Sequence, residues 1–439
     1  MVMPSQGYFS KNRVAQHTAS NQRVWNPGHY MTLYASITDL VGGALTAQAN
    51  TIYTAMSTRP AIKGPNIAII WSEVETAYGV YDTAMLDAHA ARCAADGKHM
   101  CIKVSHKTFG GEHAVPSYMQ AGVNDALYGD DDGEGTGTST GGEFETSVGY
   151  TVKLNNEAVF ERFLAFIDYI GARYNSNPAV EMLYFNEGAT GVPVNFTITT
   201  EVENNFYANF DRLGAAAKRS APLKVVAVLF NYPADRLSTM YAEFIAAGVG
   251  LADPDVFTST SIGETDDSDP INQNIKLAGA AAAFSPPNNY DRAYTYHADA
   301  HTKIPIVSII SPNSWEYSHA LQTTPPTYLP PATATELFAF CRDELNSTHI
   351  FWYYNNVTPA AYNAGTAYDY RDLVTSGNIV YQSKPAGKNT NTGNAVGNVT
   401  YWHNLGTNFP AITNQFYPLM DTLAALEGGG LNVKYPALL

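Results

Sequence analysis

The stretch Phe163–Gly188, FLAFIDYIGARYNSNPAVEMLYFNEG, decides how the rest of this chain is read. Its first half closes an amphipathic pattern that begins at Ala158. Phe160, Phe163, Leu164, Phe166, Ile167 and Ile170 recur at three- and four-residue spacing, so a helix is expected over Ala158–Tyr174. The second half changes period. Val180–Phe185 is an almost continuous apolar run of strand length, as a parallel strand covered on both faces should be. That run ends in Asn186–Glu187, so an amide and a carboxylate stand where a buried strand reaches solvent.

The same alternation continues in both directions. Further strands are expected at Tyr30–Ala35, Asn66–Trp71, His99–Ser105, Lys224–Phe230, Asp255–Ser261, Ile304–Ile310 and His349–Tyr354. Helical patterns lie between them at Thr83–Asp96, Val202–Ser220 and Leu237–Ala247, and Phe409–Leu426 is expected to close the set. Repeated strand–helix units imply right-handed parallel crossovers, and eight of them make an α/β fold of the (β/α)8 barrel type. A doubly wound open sheet is the rival, but its Gly-rich phosphate turn after the first strand is absent. Two connections exceed ordinary loop length. Residues 107–156, after the third strand, include the Gly/Asp/Thr-rich run GDDDGEGTGTSTGG, and residues 355–408, after the eighth, are rich in Asn, Thr, Gly and Tyr. Both are expected to emerge at the C-terminal rim as walls of a cleft within a single catalytic domain spanning residues 1–439.

Composition bounds the partners. The chain has 439 residues, and 40 acids against 25 bases leave a net charge of −15, which argues against nucleic acid or an anionic membrane as main partner. No apolar run approaches the ~18–20 residues of a membrane span. The opening MVMPSQGYFSKNRVAQH shows no apolar signal-peptide segment. Charged residues are only 15%, so Thr, Asn, Ser, Tyr and Gly must carry the polar surface. Cys93, Cys101 and Cys341 lack metal spacing and are expected as buried thiols.

Three segments together carry a resemblance: WSEVETAYGVYDTAMLDAHAARCAADGKHMCIKVS (Trp71–Ser105), AVPSYM (Ala114–Met119) and Phe163–Gly188. In this order the chain resembles the clan A glycoside hydrolases over roughly Met31–Gly188, and beyond that mainly through barrel periodicity. The resemblance implies that Glu187 is the general acid/base and that Asn186 is the amide that hydrogen-bonds the sugar 2-hydroxyl. It further implies a rim histidine at His106 and a sugar-platform tryptophan at Trp352. An ordinary rim carboxylate is the alternative for Glu187.

The pattern departs from that family at the seventh strand, where KIPIVSIISPNSWEY places Ile310 and Ser311 instead of the nucleophilic Glu. The second carboxylate is then expected from Glu316, in a loop with Trp315 and Tyr317, or from Glu264 in SIGETDD after strand six. Glycoside cleavage needs two carboxyls, ~5–5.5 Å apart for retention or ~6.5–9.5 Å for inversion. Trp71, Trp315 and Trp352 fall at or past strand ends, where an indole face stacks on a pyranose or else packs the rim. Glu73 and Glu75 follow strand two; Glu73 is a substrate contact or the partner of an arginine beneath the rim. The acidic run Asp130–Glu134 lacks calcium-loop spacing, and His297 with His301 lacks a third zinc ligand, so no metal is expected. No G-x-S-x-G elbow, P-loop or dinucleotide fingerprint appears, and no cofactor is required.

These readings point to a glycoside hydrolase acting on a poly- or oligosaccharide, extracellular or virion-associated as a phage depolymerase would be, with its oligomeric state open. The alternative is a catalytically inactive barrel used as a carbohydrate-binding or virion structural module. Retention or inversion, the sugar, and endo or exo attack are left open.

Overall fold

The computed structural model describes residues 23–33, 38–129, 141–186, 188–191, 193–194, 198–231, 233, 236–254, 256, 293–311, 314, 319–321, 327–329, 332–354, 359–368, 372–384, 391–407 and 412–439. Eight parallel strands close into a barrel: β1 (Gly28–Leu33), β2 (Ile62–Ile70), β3 (Met100–Ser105), β4 (Val180–Phe185), β5 (Val225–Leu229), β6 (Gly250–Asp253), β7 (Ile306–Ile310) and β8 (His349–Tyr353). Each strand pairs with its neighbour in sequence, and β8 pairs back to β1, so the sheet has no edge. A helix follows every strand: α1 (Ala47–Ser57), α2 (Ala84–Asp96), α3 (Glu157–Tyr174), α4 (Thr200–Ser220), α5 (Leu237–Ala247), α6 (Ala293–Ala300), α7 (Ala334–Asp343) and α8 (Ile412–Thr422). The expected (β/α)8 barrel is therefore present. Among the described residues no helix is long and apolar enough to cross a membrane.

The strands read as apolar runs because both faces are covered. One set of residues, including Tyr30, Cys101, Met182, Tyr184, Val225, Ala227, Val307, Ile309 and Phe351, fills the barrel interior. The alternate set, among them Ile102, Val104, Leu183 and Phe185, packs outward against the helices. The helices are cut by local signals. The Asn156 side chain accepts from Val159 N at 3.1 Å to start α3, and Phe160, Phe163, Phe166, Ile167, Ile170 and Tyr174 bury its inner face. Thr199 caps α4, whose first turn carries Glu201 and Glu203 and whose last carries Lys218 and Arg219, each sign set against the helix dipole. Gly248, at φ +68°, ends α5 in the left-handed conformation.

That turn corrects the expected sixth strand. β6 begins two residues past Gly248, at Gly250, rather than at Asp255. A Cβ on Gly250 would lie 2.8 Å from the Pro305 carbonyl oxygen, so glycine suits the first position of this strand. The expected Asp255–Ser261 lies outside the described residues except for Val256, whose N–H still reaches Ile309 O at 3.1 Å.

The two long connections fold locally. After β3, strands Glu143–Thr146 and Gly149–Val152 form an antiparallel hairpin. After β8, Ala360–Ala361, Leu373–Ser376, Ile379–Ser383 and Trp402–Gly406 form a four-stranded sheet with its own small cluster of Tyr368, Val374 and Trp402. At the opposite, N-terminal end the barrel is plugged. Glu181 accepts from Asn26 N at 2.8 Å and Asn26 Nδ2 at 2.9 Å, and His349 Nε2 lies 3.3 Å from it. Trp25 meets the His349 ring edge-on and Tyr30 stacks on it. Cys93, Cys101 and Cys341 are all buried, free thiols.

Candidate active site

The C-terminal mouth of the barrel is polar where the inward positions run out. Asn66 Nδ2 donates to Thr32 Oγ1 at 2.8 Å and to Tyr184 Oη at 2.7 Å, tying β1, β2 and β4 together across the interior. One inward position further along β2, Ala68 is exposed although it belongs to a closed barrel, so the interior opens above Asn66. Lys103 stands beside Ala68 on β3 and Tyr184 on β4, half-buried, and Tyr353 of β8 lines the same opening. Burial, with the nearby Tyr353, pushes the Tyr184 hydroxyl well above the ordinary phenol range, so it stays a neutral hydrogen-bonding group. Asn66, Lys103, Tyr184 and Tyr353 belong to no catalytic motif of the sequence. The signal was available in the strand period: Tyr184 lies two residues before Asn186, and Lys103 two before Ser105.

Asn186 follows directly on β4, is buried, and donates from Nδ2 to the Lys107 carbonyl at 3.3 Å. One of its amide hydrogens thus ties the end of β4 to the end of β3. Glu187, Glu264, Trp315 and Glu316 lie outside the described residues. Ser311, one residue past β7, is buried at the position where the family pattern has a carboxylate.

Three expected substrate contacts are corrected. His106 is fully buried, and its ring packs against Phe210 at 5.5 Å and Phe206 at 6.4 Å on α4. It follows the outward residues Ile102 and Val104 by the strand period, so it faces the helix layer and not the mouth. Trp352 is also fully buried; its Nε1 donates to His29 Nδ1 at 3.0 Å and its ring packs on Phe416 of α8. The neighbouring Phe351 takes the inward position. Trp71 has no exposed surface either: its indole packs between Phe163 and Phe166 of α3, and Nε1 donates to Glu75 Oε2 at 2.6 Å. An indole without an exposed face has no surface to offer a sugar ring.

The arginine partner after strand two is Glu75 rather than Glu73. Glu75 is buried, accepts from Gly79 N at 2.7 Å and Tyr118 Oη at 3.0 Å, and is paired with Arg162 of α3. Glu73 instead caps the short turn Trp71–Val74 by accepting from Ile70 N at 3.1 Å. Burial, then the charges of Asp39 and Glu112, raise its carboxyl above the usual range against that hydrogen bond. Glu73 lines a pocket of 280 Å³ with Asp39, Leu40, Asp82 and Met85, and none of Asn66, Lys103, Tyr184 or Tyr353 lines it. His297 packs in the core between Phe230 and Tyr294, and burial alone pushes its imidazole down to about 3. Among the described residues no three His, Cys, Asp or Glu side chains are grouped to hold a metal ion.

No protein-family model matches the sequence, and no curated protein sequence matches it either. Solved structures do. A β-galactosidase from the psychrophilic Marinomonas ef1 is 8% identical with a TM-score of 0.46, over 74% of this chain and 53% of its own. A β-galactosidase from the haloarchaeon Halorubrum lacusprofundi is 12% identical with a TM-score of 0.44, over 74% and 52%. Endoglycoceramidase II from Rhodococcus sp. is 13% identical with a TM-score of 0.41, over 83% and 85%. All three are glycoside hydrolases. The chain spans about half the length of the two β-galactosidases. The assignment of the barrel rests on its own strand pairing.

Proposed function

We propose that this chain is a glycoside hydrolase that cleaves a poly- or oligosaccharide at the C-terminal mouth of its barrel, with Glu187 as general acid/base. The observation that carries this reading is the end of β4. A buried barrel strand ends in Asn186 at the face where barrel enzymes keep their chemistry, and a glutamate follows it in the sequence. The opening among Ala68, Lys103, Tyr184 and Tyr353 supplies space and polar groups at the same end of the barrel. In this mechanism Glu187 protonates the leaving oxygen. Glu264 or Glu316 attacks the anomeric carbon or activates water from the opposite face, and the separation of the two carboxyls sets the stereochemistry. The low charge and the Thr-, Asn- and Tyr-rich surface support an extracellular or virion-borne enzyme.

The test is a polysaccharide panel with reducing-end detection, run with wild type and Glu187→Gln. Glutamine keeps the shape but donates no proton of the required acidity, so turnover on poor leaving groups is expected to fall by ~10²–10⁴ while substrate still binds. Turnover within about twofold of wild type removes Glu187 from the mechanism. Azide rescue then assigns the partner: a Glu316→Ala enzyme that yields an inverted glycosyl azide names Glu316 as nucleophile, and an active Glu316→Ala beside an inactive Glu264→Ala names Glu264.

A second reading is favoured by one observation. Ser311 stands buried past β7 where the nucleophile of the family pattern belongs. On that reading the barrel binds a carbohydrate, or serves in a virion, without cleaving. Binding of a panel glycan with no cleavage by wild type selects it.

A further inference from the structure

The insertion that follows β3 bonds the chain on either side of residue 187 in sequence. Lys107, the second residue past β3, is only 6% exposed. Its carbonyl accepts from Asn186 Nδ2 at 3.3 Å, and its Nζ donates to the Ala189 carbonyl at 3.2 Å. One residue thus holds the chain immediately before Glu187 and two residues after it. Lys107 is itself anchored, because it bridges to Thr151 of the hairpin, where Val152 N bonds His106 O at 2.9 Å and Thr108 N bonds Tyr150 O at 2.8 Å. Its ammonium also lies 5.0 Å from the Phe109 ring centroid.

The far side of the segment is held by the other strand of the hairpin. Thr146 bridges to Pro193, and Val194 N donates to Glu145 O at 3.0 Å. Between them Gly191, at φ +77°, comes so close that a Cβ would lie 2.8 Å from Thr146 Cγ2. Asn186, Ala189, Pro193 and Val194 are thus each tied to the one insertion that follows β3.

We infer that Lys107 is a positioning residue for the acid/base: from just past β3 it bonds the residue before Glu187 and the second residue after it. The inference rests on the reading of Glu187 given above. Lysine suits the task because its apolar stem tolerates burial while its ammonium supplies a charge-assisted donor to a carbonyl. A small displacement of a catalytic group costs up to ~10²-fold in rate, so the effect should fall on turnover and not on binding.

The experiment compares wild type, Lys107→Met, Lys107→Arg and Glu187→Gln on the glycan that wild type cleaves best in the panel. Hydrogen–deuterium exchange of the peptide covering 188–194 is measured alongside. Methionine keeps the buried stem and removes the donor. It should speed exchange in that peptide, leave exchange in the barrel strands unchanged, and lower kcat about 10- to 100-fold with KM within about twofold. Lys107→Arg, which keeps a cationic donor, should recover most of the turnover. Exchange and kcat in Lys107→Met equal to wild type, beside an inactive Glu187→Gln, overturn the inference and leave the function reading intact. Faster exchange without any loss of kcat also overturns it, since the grip would then be structural only. Glu187→Gln as active as wild type, or a wild type that cleaves nothing, takes down the function reading, and the positioning role with it whatever Lys107→Met does.

Discussion

Trp352 and His106 sit one residue on either side of the same distinction. Residues alternate between the interior of the barrel and the helix layer, so a shift of one position moves a side chain from the candidate site to the core. Phe351 faces in and Trp352 faces out, where its indole N–H finds His29. Trp352→Ala is therefore expected to cost about 3–5 kcal/mol of stability, the usual range for emptying a large buried aromatic site. Its effect on glycan affinity should be no larger than the loss of folded protein explains. Chemical denaturation beside a binding titration measures both, and a folded variant with weakened binding would restore the platform role. The same alternation makes Tyr184 and Lys103 neighbours of the site, because each lies an even number of positions from an inward residue on its own strand.

At the scale of elements, β2 passes the residue before β3 with no room for a side chain at Gly64. A Cβ on Gly64 would lie 1.8 Å from the carbonyl oxygen of His99, and backbone cannot yield as a flexible side chain does. Gly64→Ala should therefore destabilise by about 3 kcal/mol, the upper end of overpacking costs. A denaturant midpoint unchanged from wild type would show that the strands part without cost. β6 makes a related point: no β-branched residue marks Gly250–Asp253, so β-propensity pointed past it to the Val-Phe-Thr run that follows. The helices were easier to place, because α3, α4 and α5 bury a periodic face and carry end signals such as Asn156, Thr199 and Gly248.

For the whole molecule, the N-terminal end of the barrel lets stability be tested apart from the candidate site. The N-terminal end holds a buried carboxylate, Glu181. Burial pushes its carboxyl up, but the hydrogen bond and charge of His349 and the two donors of Asn26 outweigh burial and hold it below the usual range. A folded-state pKa below the unfolded one means stability that is present above about 4.5 and lost as pH falls further. Glu181→Gln is expected to be less stable than wild type at pH 7 and to lose less between pH 6 and pH 3, read as denaturant midpoints across that range. Equal slopes for the two proteins would exclude Glu181 as the titrating group. Because Glu181 is at the end opposite the mouth, the variant should keep its turnover at neutral pH wherever it is folded.

The sequence alone determined the architecture and the place of Asn186 at the end of β4, because period, run length and caps are local quantities that survive without contacts. Eight apolar strand-length runs separated by amphipathic helices leave few ways to bury both faces, and a closed barrel is one of them. What only the tertiary structure decided is which side chains meet. That Glu75 takes Arg162 while the nearby Glu73 caps a turn depends on α3 passing over the end of β2. That Lys107 is held where it reaches Ala189 depends on a hairpin that starts 36 residues further along and bridges back to it through Thr151. Such pairings join residues far apart in the chain, so no local pattern encodes them. They exist once strand closure has brought the ends of β2, β3 and β4 side by side.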